Sequence, residues 1–297
     1  MRCFSFFCLF FFSCSSSHNT LPNSTGKNSE IIFVVNDKLW NKSIKVLAEK
    51  TFENTIIGLP QNESMFSVVQ VNNKEFKSIL RTHKNIIIIS EEVTTQINKN
   101  KWANNQFVAL LNWNNRSDFF LKELKKIREI VSLKELSQTR QKLLIKSQKS
   151  LEKKIQKLFD IELVVPNEYS VVKIDSTLFW ANYDPLNSDE IKNIILFSFN
   201  PDNTSLEKQI LHKTDSVFKK YLQGEKEGSY VKIEETYPVH FSNNLYRGLW
   251  KLENGFMGGP FIAKTYIHRD KVIVNIGVVF APQEPKRQHI KEFEAIL

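Results

Sequence analysis

The stretch SDFFLKELKKIREIVSLKELSQTRQKLLIKSQKSLEKKIQKLFD, Ser117 to Asp160, decides the fold. It holds neither Gly nor Pro, and Leu136, Leu143, Leu144, Leu151, Ile155 and Leu158 recur at roughly helical spacing, the signature of a helix with one apolar face. Ser132-Leu-Lys-Glu135 has the S-x-x-E pattern of a capping box, in which serine and glutamate side chains satisfy backbone N–H groups at a helix start. The pattern predicts two helices meeting near Ser132. Few clean heptads run through the stripe, so it reads as a core-facing seam rather than a coiled-coil face.

This helical segment, residues 117–160, divides the chain into residues 30–116 and residues 161–297. Before it, Ile31-Ile-Phe-Val-Val35 is a buried-type strand and Asn36 or Asp37 can cap the following helix, where Leu39, Trp40, Ile44, Leu47 and Ala48 repeat at helical spacing. Gly58-Leu-Pro-Gln-Asn-Glu63 reads as a turn. Strands are expected at Phe66–Val71, Asn85–Ser90 and Phe107–Trp113, with a helix around Glu75–Thr82. After the divide, strands are expected at Ile161–Val165, Ser170–Asp175, Leu178–Asn182 and Ile191–Phe199, then a helix over Ser205–Leu222. A meander follows over Arg247–Leu252, Pro260–His268 and Lys271–Phe280, with Arg269-Asp270 as its last tight turn, and a helix over Pro285–Leu297 closes the chain. The order predicts an α+β fold with mixed or antiparallel sheets and helices packed on one side. Its two loosely similar halves, joined by the long helical segment, form a single globular region over residues 30–297.

Composition is that of a globular chain, 41% hydrophobic and 25% charged. Of the net charge of +9, a net of +6 lies between Ser117 and Asp160, where twelve Lys or Arg face six Asp or Glu. No aromatics interleave these cations as a base-stacking platform requires, so they read as a solvated helix face and nucleic acid is not an expected partner.

The N-terminus bears on location. Arg2 precedes an apolar run from Phe4 to Phe12, and Ser13-Cys14 is followed by three serines, the layout of a signal peptide. The run is about half the ~20 residues a membrane-spanning helix needs. A cysteine after a small residue at the cleavage point resembles a lipobox, which makes Cys14 the expected lipidation site and residues 1–13 the leader. Residues 14–29, rich in Ser, Asn and Thr, read as a flexible tether. All three cysteines, Cys3, Cys8 and Cys14, precede the fold, which must then be stable without a disulfide. The expectation is a lipoprotein of the cell envelope, facing the periplasm from the inner or the outer membrane.

The densest local signature is Arg247-Gly-Leu-Trp-Lys-Leu-Glu-Asn-Gly-Phe-Met-Gly-Gly-Pro-Phe261, with Gly255, Gly258, Gly259 and Pro260 in a chain of only nine glycines. Glycine suits positions where something approaches the backbone closely. The candidate ligand loop is therefore Arg247, Trp250, Gly255, Met257, Gly258, Gly259 and Pro260. The plainer reading is a β-connection whose glycines only allow the bend. Gly258–Thr265 nearly spells a phosphate-binding loop, but Ala263 stands at the second glycine and Pro260 removes a donor. Six scattered histidines offer no metal-ligand spacing, and no G-x-S-x-G elbow occurs. No metal, cofactor or catalytic residue is expected.

Gly58-Leu-Pro-Gln-Asn-Glu63 with Phe66, Arg247-Gly-Leu-Trp250 with Met257-Gly-Gly-Pro-Phe261, and Ala281-Pro282 with Lys286-Arg287 and Glu294-Ala-Ile-Leu297 together resemble the DUF4837 family of uncharacterised Bacteroidetes lipoproteins, over nearly the whole mature chain. The resemblance implies a lipid-anchored envelope protein and supplies no catalytic residue, cofactor or substrate. Two functions are open. One is a non-catalytic binding or assembly module, held at the membrane by Cys14, with an envelope protein or a glycan as partner. The other is an envelope hydrolase at the Gly255–Pro260 loop, using Arg247, Glu253 and His240.

Overall fold

The computed structural model describes residues 20–268 and 270–297. The expected leader, Cys14, the first residues of the tether and Arg269 of the last turn lie outside the described residues.

The N-terminal half is built on β1 (Glu30–Val34). The short helix α1 (Asp37–Leu39), a π-helical turn at Trp40–Ile44 and α2 (Lys45–Phe52) carry the chain to β2 (Ser67–Val71), and a 3-10 helix at Ser78–Thr82 leads to β3 (Asn85–Ser90), β4 (Gln96–Lys99) and β5 (Phe107–Asn112). These strands form one sheet in the order β2-β1-β3-β5-β4, in which β1, β2, β3 and β5 run parallel and β4 antiparallel. Parallel strands are buried on both faces, which is why β1 and β3 read as unbroken apolar runs. Ile31, Phe33 and Val35 face α2 and α3 (Ser117–Ile145), while Ile32 and Val34 pack with Phe76 and Trp102 on the other face.

The helical segment departs from expectation at its break. α3 is one rod of 29 residues through Ser132, and the chain breaks instead at Lys146–Gln148 before α4 (Lys149–Phe159). Glu135 does not cap a helix. It is buried, and its carboxylate accepts hydrogen bonds from the Ser29 backbone N–H at 3.0 Å and the Asn85 side-chain amide at 2.9 Å. The buried seam of α3 is Phe120, Leu124, Ile127, Val131 and Glu135, upstream of most of the expected leucine stripe.

The C-terminal half comprises β6 (Ser170–Ile174), β7 (Leu178–Tyr183), β8 (Ile191–Phe199), α5 (Leu206–Tyr221), β9 (Tyr230–Ile233), β10 (His240–Ser242), β11 (Leu245–Glu253), β12 (Gly258–His268), β13 (Lys271–Phe280) and α6 (Arg287–Ile296). Its antiparallel sheet runs β10-β11-β12-β13-β8-β7-β6, with β9 also paired to β11. Helices cover both faces of this sheet rather than one. α4 and α6 bury Ile155, Phe159, Ile290, Phe293 and Ile296 against one side, and α5 buries Ile210 and Phe218 against the other. A parallel-dominated sheet before the divide and an antiparallel one after it share no strand topology, so the halves do not repeat.

Two further expectations shift. Ile161–Val165, buried except at Glu162, lies outside the strands: Gln148 N–H donates to Val165 O at 2.9 Å and Val164 N–H to Ile296 O at 3.2 Å. Residues 21–29 of the expected tether are docked. Ser24 N–H donates to Asn104 O at 3.1 Å, Thr25 N–H to Thr82 O at 2.9 Å, and the Asn104 amide to Leu21 O at 2.7 Å.

Candidate functional site

The Gly255–Pro260 segment is a hairpin rather than an open loop. Gly258, Gly259 and Pro260 begin β12 and pair with Lys251, Trp250 and Leu249. A Cβ on Gly259 would stand 2.2 Å from Val279 O. That same carbonyl accepts the Trp250 indole N–H at 3.1 Å. Gly259 thus lets β12 lie close to β13 under a buried tryptophan, and Gly255 leaves room for Leu252, whose side chain would meet its Cβ at 2.4 Å. Met257 packs against the same core as Trp250, and Gly259 and Pro260 are buried. The glycines serve packing within this hairpin, and of the expected ligand-loop residues Arg247 lines the cleft described next.

Arg247 lines a cleft of about 1290 Å³ where the two halves meet. The wall on the N-terminal side comes from α3 around Ser132–Thr139, from Thr55–Ile57 and from Lys27 and Lys84. The opposing wall is the β10–β11 hairpin and the face of α6 that carries Arg287, Lys291 and Glu294. These three recur at i, i+4 and i+7, while Ile290, Phe293 and Ile296 turn the other face of α6 into the core. Phe293 lies over Gly277, where a Cβ would come within 2.2 Å of its ring.

α6 belongs to the C-terminal core, yet the N-terminal half grips it at three levels. At its start, the Glu63 carboxylate accepts the backbone N–H of Lys286 at 2.6 Å and of Arg287 at 2.9 Å, a negative charge on the positive end of a helix dipole. At its end, the Arg140 guanidinium donates to Ala295 O at 2.7 Å. In its middle, the Lys291 ammonium lies 3.5 Å from the Glu135 carboxylate and bonds Ser29 Oγ. Gly58-Leu-Pro-Gln-Asn-Glu63, expected only as a turn, is the hook that makes this possible. Gly58 has φ +86° and would press a Cβ to 2.8 Å from Arg247 Cβ, and Leu59 inserts into the C-terminal core.

The cleft is electrostatically uneven. Lys27, Lys84, Arg247, Lys264, Arg287 and Lys291 line it against Glu135, Glu284, Glu292 and Glu294. Three of those carboxylates are held by a cation, Glu135 by Lys291, Glu292 by Lys192 at 3.2 Å and Glu294 by Arg247, while Glu284 is largely exposed beside His289. Among the described residues, the side-chain nitrogens of Lys27, Lys84 and Arg287 have no carboxylate within 4.0 Å. Burial lowers the pKa of Lys291, against the pull of Glu135, and lowers that of Lys84 likewise. Burial brings Lys134 down to about 8 although Glu135 is adjacent. Its ammonium donates to Lys84 O at 3.0 Å and to Asn85 Oδ1 at 3.1 Å.

The residues named for hydrolysis are only partly brought together. His240 pairs with Arg247 across β10 and β11, and both line the cleft. Glu253 is elsewhere, paired with Lys232 at 3.0 Å. Glu294 occupies the carboxylate position instead, but it is taken by the Arg247 guanidinium. Among the described residues no carboxylate lies within salt-bridge distance of His240 to orient it as a base. Among them also no group of three or more metal-capable side chains gathers, and no helix is long and apolar enough to cross a membrane.

Comparison with known sequences divides the chain where α3 ends. Residues 148–297 match a family model described as a domain of unknown function, DUF4837, and residues 24–144 match a second described the same way, DUF8532. The Arg247–Phe261 and Lys286–Leu297 motifs fall in the first model and the Gly58–Glu63 hook in the second, so DUF4837 covers less of the chain than the resemblance implied. No curated protein matches the chain.

Proposed function

The chain belongs to the DUF4837 family, whose model spans its C-terminal half, and we propose that it is a lipid-anchored binding module of the cell envelope. The anchor is Cys14, exposed when a leader of residues 1–13 is removed, and the module faces the periplasm from the inner or the outer membrane. The leader layout, Arg2 then Phe4–Phe12 then Ser13-Cys14, supports this placement.

One observation carries the binding role: a cleft of about 1290 Å³ between the halves in which three of the four lining glutamates, Glu135, Glu292 and Glu294, are already paired with a lysine or arginine. General acid–base work needs a carboxylate or imidazole free to exchange a proton near neutral pH and held in place by a partner. A cleft lined by engaged carboxylates and surplus cations suits recognition instead, and a glycan or an envelope protein is the expected partner. The hydrolase alternative keeps only Arg247 and His240 of its residues.

Mass spectrometry of the protein purified from membranes tests the anchor. An N-terminal peptide beginning at an acylated Cys14 is expected. An unmodified peptide extending upstream of Cys14 overturns the reading.

A further inference from the structure

Resting on the binding-module reading, we propose that the cleft between the halves takes a ligand bearing an oxyanion, a carboxylate or a phosphate group, and that Arg287 and Arg247 are its principal hydrogen-bonding residues. Three features of the cleft point to this chemistry.

First, the charge balance is set before any ligand enters. Three of the four glutamates are held by a lysine or arginine, while the side-chain nitrogens of Lys27, Lys84 and Arg287 have no carboxylate within 4.0 Å among the described residues. A concave surface with cations in excess focuses a positive potential and draws anions.

Second, both guanidiniums are left incomplete. Arg247 gives one nitrogen to Glu294 and its Nη1 is buried with no acceptor. Arg287 gives Nη1 to Ser64 O at 2.7 Å and its Nε is buried with no acceptor. Buried charged donors are nearly always partnered, and leaving one unanswered is costly. Oxygen pairs of carboxylates and phosphates match the planar fork of a guanidinium.

Third, the two arginines come from different elements that the fold brings to one cleft. Gly58 brings the hook against the Arg247 backbone, and Glu63 fixes the first turn of α6, which carries Arg287. The hook thus holds the backbone of each arginine, a preorganisation that lowers the entropic cost of binding.

The test is isothermal titration calorimetry on the detergent-solubilised full chain with three probes: inorganic phosphate, glucuronic acid and glucose. The expected result is saturable one-site binding of an acidic probe, weakened by added salt, and no binding of glucose. Tighter binding of glucuronate than phosphate assigns the oxyanion to a carboxylate-bearing glycan, and the reverse order to a phosphate ester. Arg287→Gln and Arg247→Gln are each expected to weaken binding about tenfold, the size of one charge-assisted hydrogen bond. Because either arginine variant can loosen the fold, Lys27→Gln is measured beside them: Lys27 is exposed, so its melting temperature should stay unchanged while affinity falls a few-fold. Equal binding of glucose overturns the oxyanion and leaves the binding module standing. Binding of none of the probes, or acidic binding indifferent to all three variants, overturns the assignment of this site. The Cys14 peptide and its acylation are read separately, so failure of the anchor is not confused with failure of the site.

Discussion

The Lys291 ammonium on α6 lies 3.5 Å from the Glu135 carboxylate on α3, a pair on the cleft lining that joins the two walls. Glu135 is 6% exposed and also accepts from Ser29 N–H and the Asn85 amide. Removing one partner of a buried pair leaves the other uncompensated, at about 3–5 kcal/mol. Glu135→Ala should therefore lower the urea midpoint sharply. Glu135→Gln, which keeps an acceptor for Ser29 and Asn85, should cost clearly less. Equal losses for the two variants would mean that the hydrogen bonds to Ser29 and Asn85 contribute nothing beyond the charge.

The Glu63 carboxylate closes the exposed N–H groups at the start of α6 from a distance of 223 residues in sequence. Its loss resembles loss of a helix cap with a favourable dipole contact, about 1–2 kcal/mol. Glu63→Ala should show this in equilibrium unfolding, and hydrogen exchange should accelerate at the first turn of α6 before it does in β13.

Glycines in this chain report close approach more than flexibility. Gly259→Ala would drive a Cβ to 2.2 Å from Val279 O, and Gly277→Ala would bring one to 2.2 Å from the Phe293 ring. Overpacking of this kind costs about 1–3 kcal/mol. For Gly259→Ala, Trp250 fluorescence should also shift as its bond to Val279 O is strained. For Gly277→Ala, the displaced element is α6, so acidic-probe affinity should fall too. An unchanged melting temperature in both variants would refute the packing account of these glycines.

Lys134 gives a pH signature. Burial lowers its pKa from 10.5 to about 8, so between those values the folded chain has released a proton that the unfolded chain still holds. Stability then rises with pH across that window, because the unfolded state binds more protons. The lowered pKa values of Lys84 and Lys291 act with the same sign. The urea midpoint of the wild type should climb from pH 8 toward pH 10 relative to Lys134→Gln, whose slope should be smaller. Parallel slopes would show that Lys134 titrates normally in the folded state.

Much of the fold was legible in the sequence because it rests on local patterns. The α+β class, the two halves, and the positions of β1, β3, β8, α5 and α6 follow from apolar runs and helical spacing. The short strands β4, β9 and β10 were missed, since three or four residues carry no period to read. The break in the helical segment was misplaced because Ser132-Leu-Lys-Glu135 satisfies a local capping rule while Glu135 is claimed by Ser29 and Asn85, partners 106 and 50 residues away. The site fared worse for the same reason. A cluster of glycines drew attention to Gly255–Pro260, where they serve sheet packing. The residues that shape the cleft, Glu63, Glu135, Arg287 and Lys291, are ordinary surface-type charges in one dimension. Of the expected loop residues Arg247 lines the cleft, and Gly58–Glu63 reads as a turn without the contact that gives it a purpose.

Hydrogen exchange of the full chain with and without saturating glucuronate tests the central claim most directly. The account predicts slowed exchange in α6, in β10–β11 and in the part of α3 around Ser132–Thr139, with no change at the Asn254–Met257 turn. Protection confined to that turn, or no protection on either wall of the cleft, would contradict it.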